Sequence, residues 1–140
     1  MYVHSVQSLL WNEVVTDYLK DKYDCKEIQY AEGTLVFPKT SVPNKTIPLF
    51  GVGTTIPDYV EAEYTNIVSK YKLTKEDFII KQLPDATCMG TDRELLVPIN
   101  DFTATSLESD ELHLGMKKVT VSFTLTKGSY ATMLIKQLLL

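Results

Sequence analysis

Cysteine, histidine and tryptophan are scarce in this 140-residue sequence, which holds two, two and one of them. Cys25 and Cys88 stand in unrelated contexts with no CxxC pair, and His4 and His113 are far apart, so neither a disulfide framework nor a zinc site is suggested and no metal is expected. Neither histidine has a serine or cysteine partner in a recognisable nucleophile motif, which removes the common catalytic triads. Long apolar runs are missing as well. No stretch approaches the roughly 20 residues that a membrane span needs, and MYVHSVQSLLWNEV lacks a basic n-region and a cleavage site, so the expected location is intracellular, cytoplasmic or nuclear. Gly51-Val52-Gly53 begins like a dinucleotide loop, but Ile56 occupies the place of the third glycine and the pattern fails. Internal repeats and low-complexity segments are absent.

What is present is the composition of a soluble globular domain, 44% hydrophobic and 23% charged. A formal charge of -4 argues against binding nucleic acid through net charge alone. The charges are unevenly spread. Residues 101–114 carry Asp101, Glu108, Asp110 and Glu111 and no lysine or arginine, whereas residues 115–140 carry Lys117, Lys118, Lys127 and Lys136 and no acid. The C-terminal end is therefore a locally basic element on an acidic chain.

Periodicity divides the chain into short helices and strands. In SVQSLLWNEVVTDYLK, Val6, Leu10 and Val14 repeat at four, widened by Leu9, Trp11, Val15, Tyr18 and Leu19, which predicts a long amphipathic helix with Ser5 as its N-cap. EIQY and TLVFP flank Ala31-Glu32-Gly33 and read as a hairpin. Proline and glycine recur from Pro38 to Pro57 too often for regular structure, so an ordered loop or crossing segment is expected there. VEAEYTNIVSKY predicts a second helix, Thr74 caps a short acidic turn, and LPDATCMGTD reads as a loop. RELLVPI and DFTATSL are extended segments. VTVSFTLT alternates cleanly, with Val119, Val121, Phe123 and Leu125 on one side, and predicts a strand with one buried face. SYATMLIKQLLL then returns to helical spacing, with Ser129 as the expected cap after a turn at Gly128. Hairpins and helices without regular βαβ alternation indicate an α+β fold of mixed helices and antiparallel strands.

The joint between the last strand and helix, LTKGSY, combines four residues suited to nucleic acid. Gly128 permits close approach of backbone to a ligand, Ser129 and the following amides open a helix N-terminus that favours phosphate, Lys127 adds positive charge, and Tyr130 offers a ring. By spacing alone the structural alternative stands beside this one: Ser129 only caps the helix and Tyr130 packs on Phe123. On the first helix, Trp11 reads as core and Asn12 as a residue that orders a neighbouring loop.

YVHSVQSLLWNEVV at residues 2–15, RELLVPINDF at 93–102 and FTLTKGSYATMLIKQL at 123–138 resemble the C-terminal part of the TruD family of RNA pseudouridine synthases. The family carries a "QS…WN" helix, a strand of type "R-x-L-x-V-x-P-x-D" and an "F-x-L-P-x-GSYAT" turn before a final helix. IPLFGVGTTIPDY at 47–59 is similar to its "LPGY…P" loop. Thr126 replaces the usual proline, Phe50 interrupts the "PG" pair, and Pro98-Ile99-Asn100 shifts the spacing before Asp101. The family's "AGxKDKxAxT" segment, which holds the nucleophilic aspartate, and its "NxFGxQRFG" motif are both missing. LKDKYDCKE at 19–27 shares three letters with the former but lacks its flanks, so Asp21 is not read as the nucleophile.

The resemblance implies a C-terminal fragment of a longer synthase. Residues 1–90 correspond to part of the family-specific insertion domain, and 91–140 to the strand and helix that complete the catalytic domain. It implies isomerisation of uridine to pseudouridine in RNA, with transfer RNA as the expected partner and no metal or organic cofactor. The fragment itself contains no catalytic residue and is expected to be inactive and to self-associate. Tyr130 is then the residue that stacks on the substrate base, Lys127, Gly128 and Ser129 contact RNA, and Gln7, Trp11 and Asn12 support the site. The alternative is a non-catalytic RNA-binding or interaction module without a catalytic half.

Overall fold

The computed structural model describes every residue except Met1, Glu32, Leu83, Asp85, Ala86 and Leu140. Glu32 of the expected hairpin loop, Leu83, Asp85 and Ala86 of the expected 83–92 loop, and Leu140 of the expected last helix thus lie outside the described residues. Helices and antiparallel strands make an α+β fold, and contacts divide the chain into two compact units, Met1–Leu95 and Leu96–Leu140.

The first unit is built on α1 (Tyr2–Lys22), a run free of glycine and proline. It begins earlier than the sequence suggests, so Ser5 lies inside the helix and is not its cap. Lys20 and Lys22 fall in the last turn, where positive charge complements the helix dipole. Leu10, Val14, Tyr18 and Leu19 bury one face of α1. Against it lie Val36 of a hairpin formed by β1 (Cys25–Tyr30) and β2 (Gly33–Pro38), and Ile47 of β3 (Thr46–Pro48). A 3-10 turn (Asp58–Val60) and α2 (Glu61–Tyr71) add Val60, Tyr64 and Ile67. Phe50 stacks on Tyr64 at 6.1 Å between ring centroids and meets the edge of Phe78 at 5.6 Å. Each such side chain withdrawn from water contributes about 1.5–3 kcal/mol. The Tyr64 hydroxyl donates to the Pro48 carbonyl, and burial pushes its ionisation well above the usual phenol range. The hydroxyl therefore stays a donor at any ordinary pH.

The expected turn at Thr74 is a 3-10 segment (Lys75–Phe78), in which the Thr74 amide donates to the Asp77 carboxylate at 2.7 Å. The proline-rich stretch holds one short strand that the sequence does not announce. Thr46–Pro48 pairs antiparallel with β4 (Asp92–Glu94), Ile47 facing Arg93. Beyond it, residues 49–54 run against 88–91: Leu49 N donates to Thr91 O at 2.7 Å, Val52 N to Cys88 O at 3.0 Å and Gly90 N to Val52 O at 2.9 Å. Thr54 locks the bend, its Oγ1 accepting from Gly51 N at 2.8 Å.

The second unit is an antiparallel ribbon followed by a helix. β5 (Asn100–Ala104) pairs with β8 (Val121–Thr124), and beyond them β6 (Glu108–Ser109) pairs with β7 (Lys117–Lys118). The ladder shifts register between Asn100 and Thr103, where Asp101 takes a positive φ of 53°. The β6–β7 turn is organised by Asp110, whose carboxylate accepts from the amides of Leu112 and His113 at 2.8 and 3.1 Å; these bonds hold its carboxyl below the usual range. The alternation expected in VTVSFTLT is present, but its apolar side is only half-buried and Val119 is 50% exposed, which corrects the expectation of a buried face. A ribbon with a single neighbouring strand leaves most of each side chain's flank uncovered. The chain closes with α3 (Ala131–Leu138), whose Leu134 is buried.

The crossing of 49–54 over 88–91 permits a sharp test. A Cβ on Gly90 would lie 2.0 Å from Thr54 Oγ1 and 2.9 Å from its backbone Cα. Gly90→Ala is therefore expected to lower stability by about 1–3 kcal/mol through overpacking, measured as the urea midpoint. An unchanged midpoint would show that the crossing is not rigid.

Candidate functional site

The turn before α3 gathers Lys127, Gly128, Ser129 and Tyr130 into one short exposed segment. Ser129 N donates to Thr126 O at 3.2 Å, closing the turn, and Gly128 takes a φ of 92° that favours glycine. A Cβ at Gly128 would meet nothing within 4 Å, so the glycine is required by its backbone angle, and the space beside it is open. Ser129 does not cap the helix. Its Oγ lies 3.0 Å from Thr126 Oγ1, and Tyr130 occupies the N-cap position with no side-chain bond to the helix amides. The hydroxyl is spent on the threonine that replaces the proline of the resembled motif. The first turn of α3 consequently lacks the side-chain acceptor that usually satisfies its amides.

Tyr130 is 62% exposed, which corrects the alternative in which it packs as a core residue on Phe123. Lys127 is exposed, and no ion-pair partner is found for it among the described residues. The other lysines of the C-terminal end differ. Lys118 pairs with Glu111, whose carboxyl it holds below the usual range, and Lys117 donates to Ser109 Oγ at 3.3 Å. The basic character read from the sequence is thus partly neutralised along the ribbon. What the turn offers chemically is an aromatic face, a free cation and helix amides without a side-chain cap, the groups that stack on a base and receive an anion.

Gln7, Trp11 and Asn12 sit in the first unit and form a different arrangement. Gln7 is 3% exposed; its Nε2 donates to Phe50 O at 2.9 Å and Met89 O at 3.2 Å, while its Oε1 lies 3.2 Å from His4 Nδ1. Trp11 Nε1 donates to Ile47 O at 2.8 Å, and the Arg93 guanidinium lies 5.1 Å from the centre of its ring. The expected core tryptophan is half-buried, with its indole N–H spent on a strand carbonyl. Asn12 lines a shallow groove between α1 and α2 with Glu13, Asp17, Asn66 and Lys70. Desolvation, reinforced by Glu13, raises the Asp17 carboxyl above its ordinary value. The turn residues and this trio belong to separate compact units.

Sequence reasoning missed Thr54, Gly90, Lys45 and Arg93. For Thr54 and Gly90 the signal is tertiary, since each is explained only by the segment that crosses it. Removing Gln7 tests the support role. Gln7→Leu keeps the volume but strips two carbonyls of their donor, and each unsatisfied buried group costs about 1–3 kcal/mol. A fall in urea stability of at least that per-group size, with protease cleavage appearing first in residues 47–54, is expected; unchanged stability would mean water replaces the amide without loss.

A model of the family tRNA pseudouridine synthase D (TruD) matches residues 38–138. The tRNA pseudouridine synthase D of Leptospira interrogans is 34% identical over the whole of this chain, which covers 37% of that protein. A probable tRNA pseudouridine synthase D of Methanocaldococcus jannaschii is 30% identical over 98% of the chain, covering 35% of its own length. The fold matches the crystal structure of a protein described as tRNA pseudouridine synthase D (TruD) from Methanosarcina mazei, with a TM-score of 0.67 and 21% identity over 98% of this chain and 37% of the other. The chain therefore spans little more than a third of the length of the relatives it matches.

Proposed function

The chain belongs to the tRNA pseudouridine synthase D (TruD) family, and from that premise we propose that it forms part of an enzyme that isomerises uridine to pseudouridine in RNA, with transfer RNA as the substrate. In this reading residues 1–90 serve as part of the family-specific domain and residues 91–140 as the strand and helix that complete the catalytic domain; the division of the chain into the compact units Met1–Leu95 and Leu96–Leu140 supports a boundary in this region. No described helix is long and apolar enough to cross a membrane; the cytoplasm or nucleus, where transfer RNA is met, is the location that goes with the proposed function.

The observation that carries this reading is the exposed ring of Tyr130 at the head of α3, inside the segment matched by the family. A uracil in folded RNA must leave its stack before its glycosidic bond can be broken, at a cost of a few kcal/mol. Tyr130 offers the flipped base a new stacking partner, worth about 1–3 kcal/mol. Lys127 and the amides after Ser129 hold the adjoining phosphate, and Gly128 keeps the approach open. Bond breaking requires a positioned nucleophile, which the family carries in its AGxKDKxAxT segment; this chain supplies positioning groups.

The purified chain is accordingly expected to leave uridine in transfer RNA unchanged. It is also expected to self-associate through the apolar side chains that its second unit exposes, among them Leu107, Leu112, Leu114 and Met116. Mapping modified sites after incubation checks the first and sedimentation the second. Turnover by the chain alone would reveal a nucleophile within these residues, and a compact monomer would count against association.

In the complete synthase, Tyr130→Phe should keep most activity because the π-face survives, whereas Tyr130→Ala should lose roughly tenfold to a hundredfold in kcat/KM, the kinetic equivalent of about 1–3 kcal/mol of stacking. Thermal stability is measured alongside. An alanine variant that modifies RNA at the wild-type rate would reject the stacking role.

A further inference from the structure

Lys45 and Arg93 stand out among the cations of the first unit. Both are half-buried, both lie over aromatic rings, and no carboxylate or hydrogen-bond acceptor is found for either side chain among the described residues. Lys45 Nζ is 4.3 Å from the centre of the Tyr59 ring and 5.9 Å from that of Tyr18, while the Arg93 guanidinium covers Trp11 at 5.1 Å. Partly desolvated cations are ordinarily paired. Cation–π contact engages the charge but leaves the N–H donors unused, so both retain hydrogen bonds to give.

The backbone places the two side chains together. Arg93 faces Ile47 across the β3–β4 ladder, and the Leu95 amide bonds to the Lys45 carbonyl at 2.8 Å, so Lys45 and Arg93 project from the same side of the ribbon. Asp92 and Glu94 alternate to the other side. Along α1 the rings beneath them, Trp11 and Tyr18, are seven residues apart and share one face. Lys22 also lies over Tyr18, but Asp21 and Glu63 neutralise it, and it takes no part.

We propose that Lys45 and Arg93, held on the Tyr59 and Trp11 rings, form a second RNA-contact site that binds backbone phosphates through their unused donors. The proposal rests on the reading of the chain as part of an RNA-modifying enzyme and adds to it a contact within the first unit. Guanidinium and ammonium donors both suit phosphate oxygens, and the aromatic seats fix their positions beforehand.

The test is fluorescence anisotropy of an unmodified transfer-RNA transcript binding to the 140-residue chain across a salt series, with wild type, Lys45→Gln, Arg93→Gln and Lys127→Ala compared and native circular dichroism required of each. Each glutamine variant is expected to weaken binding several-fold and to reduce the slope of log affinity against log salt by about one. Arg93→Lys, which keeps the charge, serves if Arg93→Gln does not fold, and should retain most of the slope. Wild-type affinity and slope in the folded Lys45 and Arg93 variants, with loss only in Lys127→Ala, would overturn this site while leaving the proposed function standing. Absence of RNA binding by the wild type would overturn the site and count against the function as well.

Discussion

The arrangement of the first unit depends on one face of α1 acting as a donor of side-chain hydrogen bonds to backbone. Gln7 and Trp11, four residues apart, bond to the carbonyls of Ile47, Phe50 and Met89. Those carbonyls belong to segments rich in proline and glycine that cannot satisfy themselves through a long ladder, because β3 and β4 pair over only three residues. A buried carbonyl left unpaired costs as much as a lost core methyl group or more. The helix thus supplies both the apolar surface on which Ile47 and Phe50 pack and the donors that allow their backbone to be buried. With these in place, Thr54 can close the bend and Gly51 and Gly90 can bring two backbones together where a side chain would collide.

The second unit is held differently. Its ribbon is stabilised by ladder hydrogen bonds, by the Asp110 turn and by the Glu111–Lys118 pair, while most of its large apolar residues remain exposed. Surface pairs of this kind contribute little, and a two-stranded ribbon is marginal by itself. Its order therefore depends on local turn chemistry more than on a core. The chain spans little more than a third of the length of its family relatives.

Much of this architecture is legible in the sequence, and the failures have identifiable causes. The helices at 2–22, 61–71 and 131–138 follow from apolar spacing, the hairpin at 25–38 from alternation around a glycine, and the α+β class from their mixture. Ser5 and Ser129 resemble caps because a capping residue is recognised by the helical pattern on its C-terminal side, whereas the actual start of a helix is set by the residues on its N-terminal side. α1 extends back to Tyr2, and Ser129 is occupied by Thr126. The strand at Thr46–Pro48 is hidden by its own proline and those around it, and the buried face of VTVSFTLT is overstated because alternation reports sidedness without reporting what lies opposite. The exposed turn carrying Tyr130 is legible through its glycine, lysine and aromatic ring. Lys45 and Arg93 are not, since nothing in their local sequence marks a cation that lacks an acid.

The proposed contacts divide the work of recognition in a way that magnitudes constrain. Extruding a base costs a few kcal/mol, and one aromatic stack returns about 1–3 of these. Tyr130 alone therefore cannot hold a flipped uridine with anything to spare; the remainder must come from contacts that do not themselves touch the base. Phosphate contacts are suited to this because they are insensitive to sequence and present wherever the strand runs. Cations already seated on aromatic rings lose little side-chain freedom when the anion arrives, so more of each contact's strength is available to offset unstacking. Under the proposed function, a segment that supplies such contacts contributes the binding free energy that presents the base to the residue that attacks it.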